Sequence, residues 1–134
     1  MLEYDGRDFD VVVAMEMIEY FEDCGPVIAK CAEFTKPGGV FMFCVINAGS
    51  WRFQMQKFKA SDYRAHAFAP AAVARALQTS GFEILERRGF QWCLAPTGSD
   101  SRLVTLSAGI EKTLGLHRWL AQSPWLLYAC RKIK

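Results

Sequence analysis

Five cysteines without one Cys-x-x-Cys pair, only two histidines, and no apolar run near the roughly 20 residues of a membrane helix set the first limits on this sequence. The odd cysteine count and the missing pair spacing argue against a disulfide framework. Cys24, Cys31, Cys44, Cys93 and Cys130 sit mostly inside apolar runs and read as reduced core residues. Charge of one sign is also missing. Sixteen basic and fourteen acidic residues are well mixed, so overall composition makes no electrostatic case for nucleic acid or for an anionic membrane. The first ten residues, "MLEYDGRDFD", are acidic and lack the apolar core of a signal peptide. The expectation is a soluble, cytoplasmic protein. With 51% hydrophobic and 22% charged residues in 134, the chain holds one ordered domain or less.

What is present is an alternation of strand and helix signals. "FDVVVAM" (9–15) is short, β-branched and apolar on both faces, as a strand covered on both sides should be. It runs directly into the carboxylates Glu16, Glu19, Glu22 and Asp23. Pro26 then fits the first turn of a helix, and "PVIAKCAEFT" presents Val27, Cys31 and Phe34 on one side before "KPGG" stops it. "VFMFCVIN" (40–47) is a second continuous apolar strand, and strand–helix–Gly turn–strand is the βαβ signature of a parallel sheet. In 48–68, Trp51, Met55 and Phe58 share a face if the segment is helical. "PAAVARALQTSGF" (70–82) is a helix with Pro70 at its start and Gly81 as terminator. "EILERRGFQWCL" (83–94) reads as a strand. Helical spacing of Leu103, Leu106, Ile110, Leu114 and His117 predicts a helix over 103–120, which makes His117 structural. "WLLYACRKI" (125–133) is a last strand.

The order of these pieces resembles the C-terminal half of a class I S-adenosylmethionine-dependent methyltransferase. "FDVVVAMEMIEYFED" looks like that fold's fourth strand and the loop leaving it, and "KPGGVFMFCVIN" like the turn and fifth strand. "HAFAPAAVARALQTSGFEILE" looks like the next helix and sixth strand, and "WLLYACRK" like the antiparallel seventh. The pattern is nearest to ubiquinone O-methyltransferases, which share "MEM-x-EH". The resemblance implies an α/β, Rossmann-like methyltransferase sheet, C-terminal half only: parallel strands plus an antiparallel final strand, with flanking helices. Residues 1–134 are then a partial methyltransferase domain, fourth to seventh strands. The family's Gly-rich turn after the first strand, which brings backbone and a helix N-terminus to the cofactor, has no counterpart here. Asp5–Gly6 is a turn dipeptide only. The expectation is a truncated or half domain, weak or inactive by itself.

The resemblance further implies S-adenosylmethionine as cofactor and a small-molecule methyl acceptor. Ala14, Met15 and Glu16 match the segment passing the methionine end of the cofactor, and Glu16 is also a candidate for catalysis. Glu16, Glu19 and Tyr20 match the family's Glu-x-x-Glu-His segment. At helical spacing these would converge on one face, yet tyrosine in place of histidine is a poor ligand and weak base, and no metal is expected. The alternative is an acidic helix N-terminus favoured by the dipole. His66, in "DYRAHAF", is the candidate base, since imidazoles titrate near about 6.5; local packing is the alternative. Tyr20, Asn47 and Trp51 are the candidate substrate contacts. Asn47 either faces the site or starts the turn after its strand. Trp51, with Phe53, Phe58 and flanking basic residues, either caps an apolar substrate, touches lipid as an interfacial helix, or packs on the core. No stable membrane insertion is expected. A non-catalytic interaction module remains open, because "FDVVVAM" at a sheet edge seeks a partner: a second copy or a complementing N-terminal half.

Overall fold

The computed structural model describes residues 6–56, 65–92 and 102–133. The elements are β1 (Phe9–Ala14), α1 (Cys24–Phe34), β2 (Thr35–Asn47), α2 (Trp51–Gln56), β3 (Ala67–Phe68), α3 (Pro70–Thr79), β4 (Phe82–Phe90), α4 (Arg102–Thr113) and β5 (Trp125–Lys132). Short 3-10 turns lie at Ile18–Tyr20 and Leu116–Arg118. The sheet runs β1-β2-β5-β4. β1 is parallel to β2, whereas β5 is antiparallel to both β2 and β4. β3 pairs with Ile46 and Asn47, on the edge of β2 that β5 leaves free. It therefore continues the β1 side beyond Ala14. This is the mixed α/β sheet that the resemblance implied.

Hydrophobic burial is concentrated on one face of the sheet. Phe41, Phe43 and Val45 of β2 and Leu126, Tyr128 and Cys130 of β5 pack against Ile28 and Cys31 of α1 and Val73 and Leu77 of α3. Phe43 stacks on Phe41 at 4.7 Å and on Tyr128 at 5.0 Å between ring centroids. Truncating any of these buried rings to alanine costs about 3–5 kcal/mol, because the lost transfer energy is joined by a cavity. α1 starts where Asp23 Oδ1 accepts from the Gly25 N–H at 2.9 Å. It ends where Lys132 of β5 donates to the carbonyl of Ala32 in its last turn and to that of Thr35, the residue that caps it.

Three expectations change. β1 is not covered on both faces: Val11 is 54% and Val13 58% exposed, while Val12 and Ala14 point to the α1 side. The apolar run reflects what the strand can bury, and neither α1 nor α3 reaches its second face. The helix expected over 103–120 stops at Thr113, because Gly115 takes a left-handed conformation (φ 67°) that breaks the ladder before the next turn. "KPGG" forms an irregularity inside β2, where the pairing jumps from Phe9–Thr35 to Val11–Val40. Regular pairing then begins at Val40, the strand start read from the sequence. Gly81 sits just past α3 with φ 78°, the terminator position expected of it. Phe58 and Cys93 lie outside the described residues.

Candidate functional site at the carboxyl ends of the parallel strands

Open α/β sheets bind ligands beyond the carboxyl ends of their parallel strands, where connecting loops diverge and leave backbone groups unpaired. Four segments meet at that end here: the loop after β1, the β2–α2 turn, residues 65–68, and the chain preceding β5. Each is pinned by hydrogen bonds that explain its path.

The loop after β1 turns at once. Ala14 is buried, Met15 is 44% exposed, and Glu16 adopts a left-handed φ of 49°. Its backbone N–H donates to Cys44 Sγ at 3.2 Å, so β2 holds the turn in place. Burial pushes the Cys44 thiol up from its ordinary range, which keeps the sulfur a neutral acceptor. The next residues form only a single 3-10 turn. Glu16 and Glu19 therefore do not share a helical face: Glu16 is exposed, whereas Glu19 is 1% exposed. Tyr20 projects outward at 61% exposure. Among the described residues no group of three or more His, Cys, Asp or Glu side chains could hold a metal ion. Of the four carboxylates, Asp23 caps α1, Glu16 and Glu22 are exposed, and Glu19 is buried.

Glu19, matched in the sequence only to the Glu-x-x-Glu-His segment, is the carboxylate whose burial the sequence did not foretell. Its Oε2 is buried with no hydrogen-bond partner. Burial holds its pKa above the usual carboxylate range, and nearby Glu16 adds to the rise. The sequence signal for its burial is the isoleucine before it, which is fully buried and pulls the turn against the core. The Glu19 carbonyl accepts the His66 backbone N–H at 2.6 Å. This bond, with the β2–β3 pairing, brings His66 to the same end of the sheet as Glu16, Tyr20 and Asn47.

Asn47 ends β2 fully buried. Its Nδ2 donates to the carbonyls of Leu120, Ala121 and Ser123 at 3.0–3.1 Å, and its Oδ1 accepts from the Gly49 N–H at 3.0 Å. The side chain thus fastens the β2–α2 turn to the segment entering β5, and its donors and acceptor are engaged within the chain. Ser50 is buried beside it and accepts from the Phe53 N–H, starting α2. Trp51 is half-buried on the first turn of α2, and Met55 is 61% exposed. Ala14 and Asn47 end β1 and β2, Trp51 starts α2, and Met15, Glu16, Tyr20 and His66 lie on the connecting segments at the same end of the sheet.

A parallel β1–α1–β2 unit with its site beyond the strand ends, closed by an antiparallel β5 inserted between β2 and β4, defines a Rossmann-like methyltransferase architecture. The chain belongs to the methyltransferase domain family, whose model matches residues 1–87. It is 46% identical over 51 residues to a ubiquinone biosynthesis O-methyltransferase of Rhodopseudomonas palustris, covering 37% of this chain and 20% of that protein. To the ubiquinone biosynthesis O-methyltransferase of Thiobacillus denitrificans it is 32% identical over 96 residues, 63% of this chain and 41% of that protein. The fold matches an S-adenosylmethionine-dependent methyltransferase from Mesorhizobium loti with a TM-score of 0.63 at 20% identity, over 98% of this chain and 65% of the other. A possible histamine N-methyltransferase from Thermotoga maritima matches with a TM-score of 0.63 at 12% identity, over 98% and 60%. The chain spans less than half the length of the curated relatives it matches.

Proposed function

We propose that this chain forms the acceptor-side half of an S-adenosylmethionine-dependent methyltransferase acting on a small molecule. The observation that carries the reading is the left-handed turn at Glu16, pinned to Cys44, which presents Ala14, Met15 and Glu16 at the open end of β1 while His66 is tethered to Glu19 next to it.

The residues present fit part of such a cofactor. Exposed Met15, Met17, Tyr20 and Phe21 offer apolar and aromatic surface, and the exposed Glu16 carboxylate offers a counter-charge to a cationic ligand. Among the described residues no Gly-rich turn leads from a strand into a helix N-terminus, so the phosphate-type cradle of such folds is not supplied here. The bound cofactor supplies an electrophilic methyl group on a sulfonium. Ala14 and Met15 line one flank of its site, and Glu16 orients it or the acceptor. Tyr20 and Trp51 flank the acceptor and exclude water, with Asn47 shaping the wall by fixing the β2–α2 turn. His66 would take the proton that an acceptor hydroxyl or amine loses on methylation, the methyl–sulfur bond of the sulfonium being the one that breaks. By itself the chain is a partial domain with weak or no turnover, working in the cytoplasm.

Exposure of Val11 and Val13 on an edge strand favours a second reading, a non-catalytic module whose β1 edge pairs with a second copy or a complementing N-terminal half. Calorimetry with S-adenosylhomocysteine separates the two. Binding by the chain joined to a complementing half, weakened by Glu16→Ala, supports the enzyme. Methyl transfer in that assembly should fall at least about a hundredfold in His66→Ala if His66 is the base. No binding in either form leaves the interaction module.

A further inference from the structure

α4 is built the wrong way round for a helix of a monomer. Among the described side chains, Leu106 and Ile110 of α4 and Leu114 just after it are 61%, 45% and 65% exposed, whereas the one carboxylate of α4, Glu111, is 9% exposed and turned to the protein. A groove of about 840 Å³ runs along the outer surface, and the described residues that line it, Thr105, Leu106, Gly109, Ile110, Thr113 and Leu114, are all uncharged. Burying such a stripe is what stabilises amphipathic helices, so an outward stripe needs a cover. Trp119, 66% exposed after the turn at Gly115, adds a large amphipathic ring on the same unit.

The charges around the stripe are sorted. Lys112 in the last turn of α4 and Arg118 in the 3-10 turn that follows are both exposed, and the acidic partner in the sequence is the inward Glu111. The net balance of +2 over the whole chain conceals this local segregation. Leucine and isoleucine flanked by tryptophan and cations, on a helix with no length to span, is the pattern of an element lying in a membrane interface. No helix among the described residues is long and apolar enough to cross a membrane. A second copy is the less fitting cover. Twelve residues make a strip about 18 Å long and about 10 Å wide, and pairing two such strips buries on the order of a few hundred Å², against about 1,200 Å² or more for a stable interface.

We propose that α4 and the turn after it dock on an anionic lipid surface, with Leu106, Ile110, Leu114 and Trp119 entering the interface and Lys112 and Arg118 meeting the headgroups. This does not depend on the methyl-transfer reading. It places the membrane beside the strand ends, because the 3-10 turn after α4 packs on β4 and the chain then runs through the carbonyls held by Asn47.

The test is co-sedimentation of the 134-residue chain with phosphatidylcholine vesicles, with and without phosphatidylglycerol, together with tryptophan emission compared against Trp119→Phe. Binding to the phosphatidylglycerol vesicles at low salt, a blue shift lost in Trp119→Phe, and at least about tenfold weaker partition of Ile110→Ser/Leu114→Ser are expected. Lys112→Glu/Arg118→Glu should lose the preference for the anionic vesicles. Circular dichroism checks that each variant stays folded, which substitution of exposed side chains permits. No vesicle binding by the wild type, or equal partition of the serine variant, overturns the proposal. So does a wild-type dimer that the serine variant dissolves without any lipid binding, which would assign the face to a second copy.

Discussion

The backbone N–H of His66 donates to the carbonyl of Glu19 at 2.6 Å, joining the turn that leaves β1 to the residue that enters β3. The same Glu19 buries its carboxyl with Oε2 unpartnered. Burial raises its pKa, so the native state keeps a proton that the unfolded chain releases. Stability from this group is fully present below the ordinary glutamate range and is lost as pH rises through the raised native value. Glu19→Gln should flatten that slope and leave the protein relatively more stable above the window, with little change below it. Urea melts of both proteins across a pH series check this, and parallel slopes would sink it.

Asn47 makes a second prediction. Removing its amide leaves three carbonyls and the Gly49 N–H without their buried partner. Asn47→Ala should cost about 3 kcal/mol. Asn47→Asp keeps an acceptor for Gly49 but turns three donated bonds into repulsion, so it should be at least as damaging. Denaturant midpoints at constant m-value measure both.

Lys132 caps α1 from across the sheet. Its ammonium donates to the Ala32 carbonyl at 2.6 Å and the Thr35 carbonyl at 2.7 Å. Thr35 Oγ1 adds a bond to the Cys31 carbonyl at 2.7 Å. A cation at a helix C-terminus meets both the unpaired carbonyls and the negative end of the dipole. Lys132→Met, which keeps the stem and removes the charge, should destabilise by about 1–2 kcal/mol. A loss confined to fraying of β5, seen by hydrogen exchange with α1 unaffected, would contradict the cap.

The thiols give a fourth. Burial pushes Cys31 up to about 11 and Cys130 up to about 12, and raises Cys24 and Cys44 as well. Thiolate is the reactive form, so these four should resist alkylation near neutral pH until the protein unfolds. Iodoacetamide labelling of a Cys93→Ser variant, with and without urea, reads this directly. Rapid native labelling at any of the four would show that its burial is incomplete in solution.

The sequence was sufficient for the order of the main strands and helices, though not for β3, and the family resemblance supplied the antiparallel final strand. Apolar runs of strand length, Pro70 at a helix start and Gly81 past its end act through local backbone geometry, and each falls where local rules put it. The βαβ unit at 9–47 follows from the same rules, since parallel strands need a crossover. The site was legible as a place, the end of β1, but less so as a set of roles. Glu16 and Glu19 are three apart in sequence, yet one is exposed and the other buried, because Glu16 takes a left-handed turn pinned by a sulfur 28 residues away. Spacing assumes a helix, and a backbone turn at the first residue cancels it.

By itself, then, the sequence determined which of the main segments are strands and helices, because periodicity and glycine–proline punctuation are properties of neighbouring residues. Only the tertiary structure decided that Val11 and Val13 stay exposed, that Asn47 is fully engaged by carbonyls more than 70 residues on, and that α4 shows its apolar side to solvent. Those outcomes depend on what stands across the sheet or beyond a turn, and a side chain's hydrophobicity states only what it would bury, never what is there to bury it.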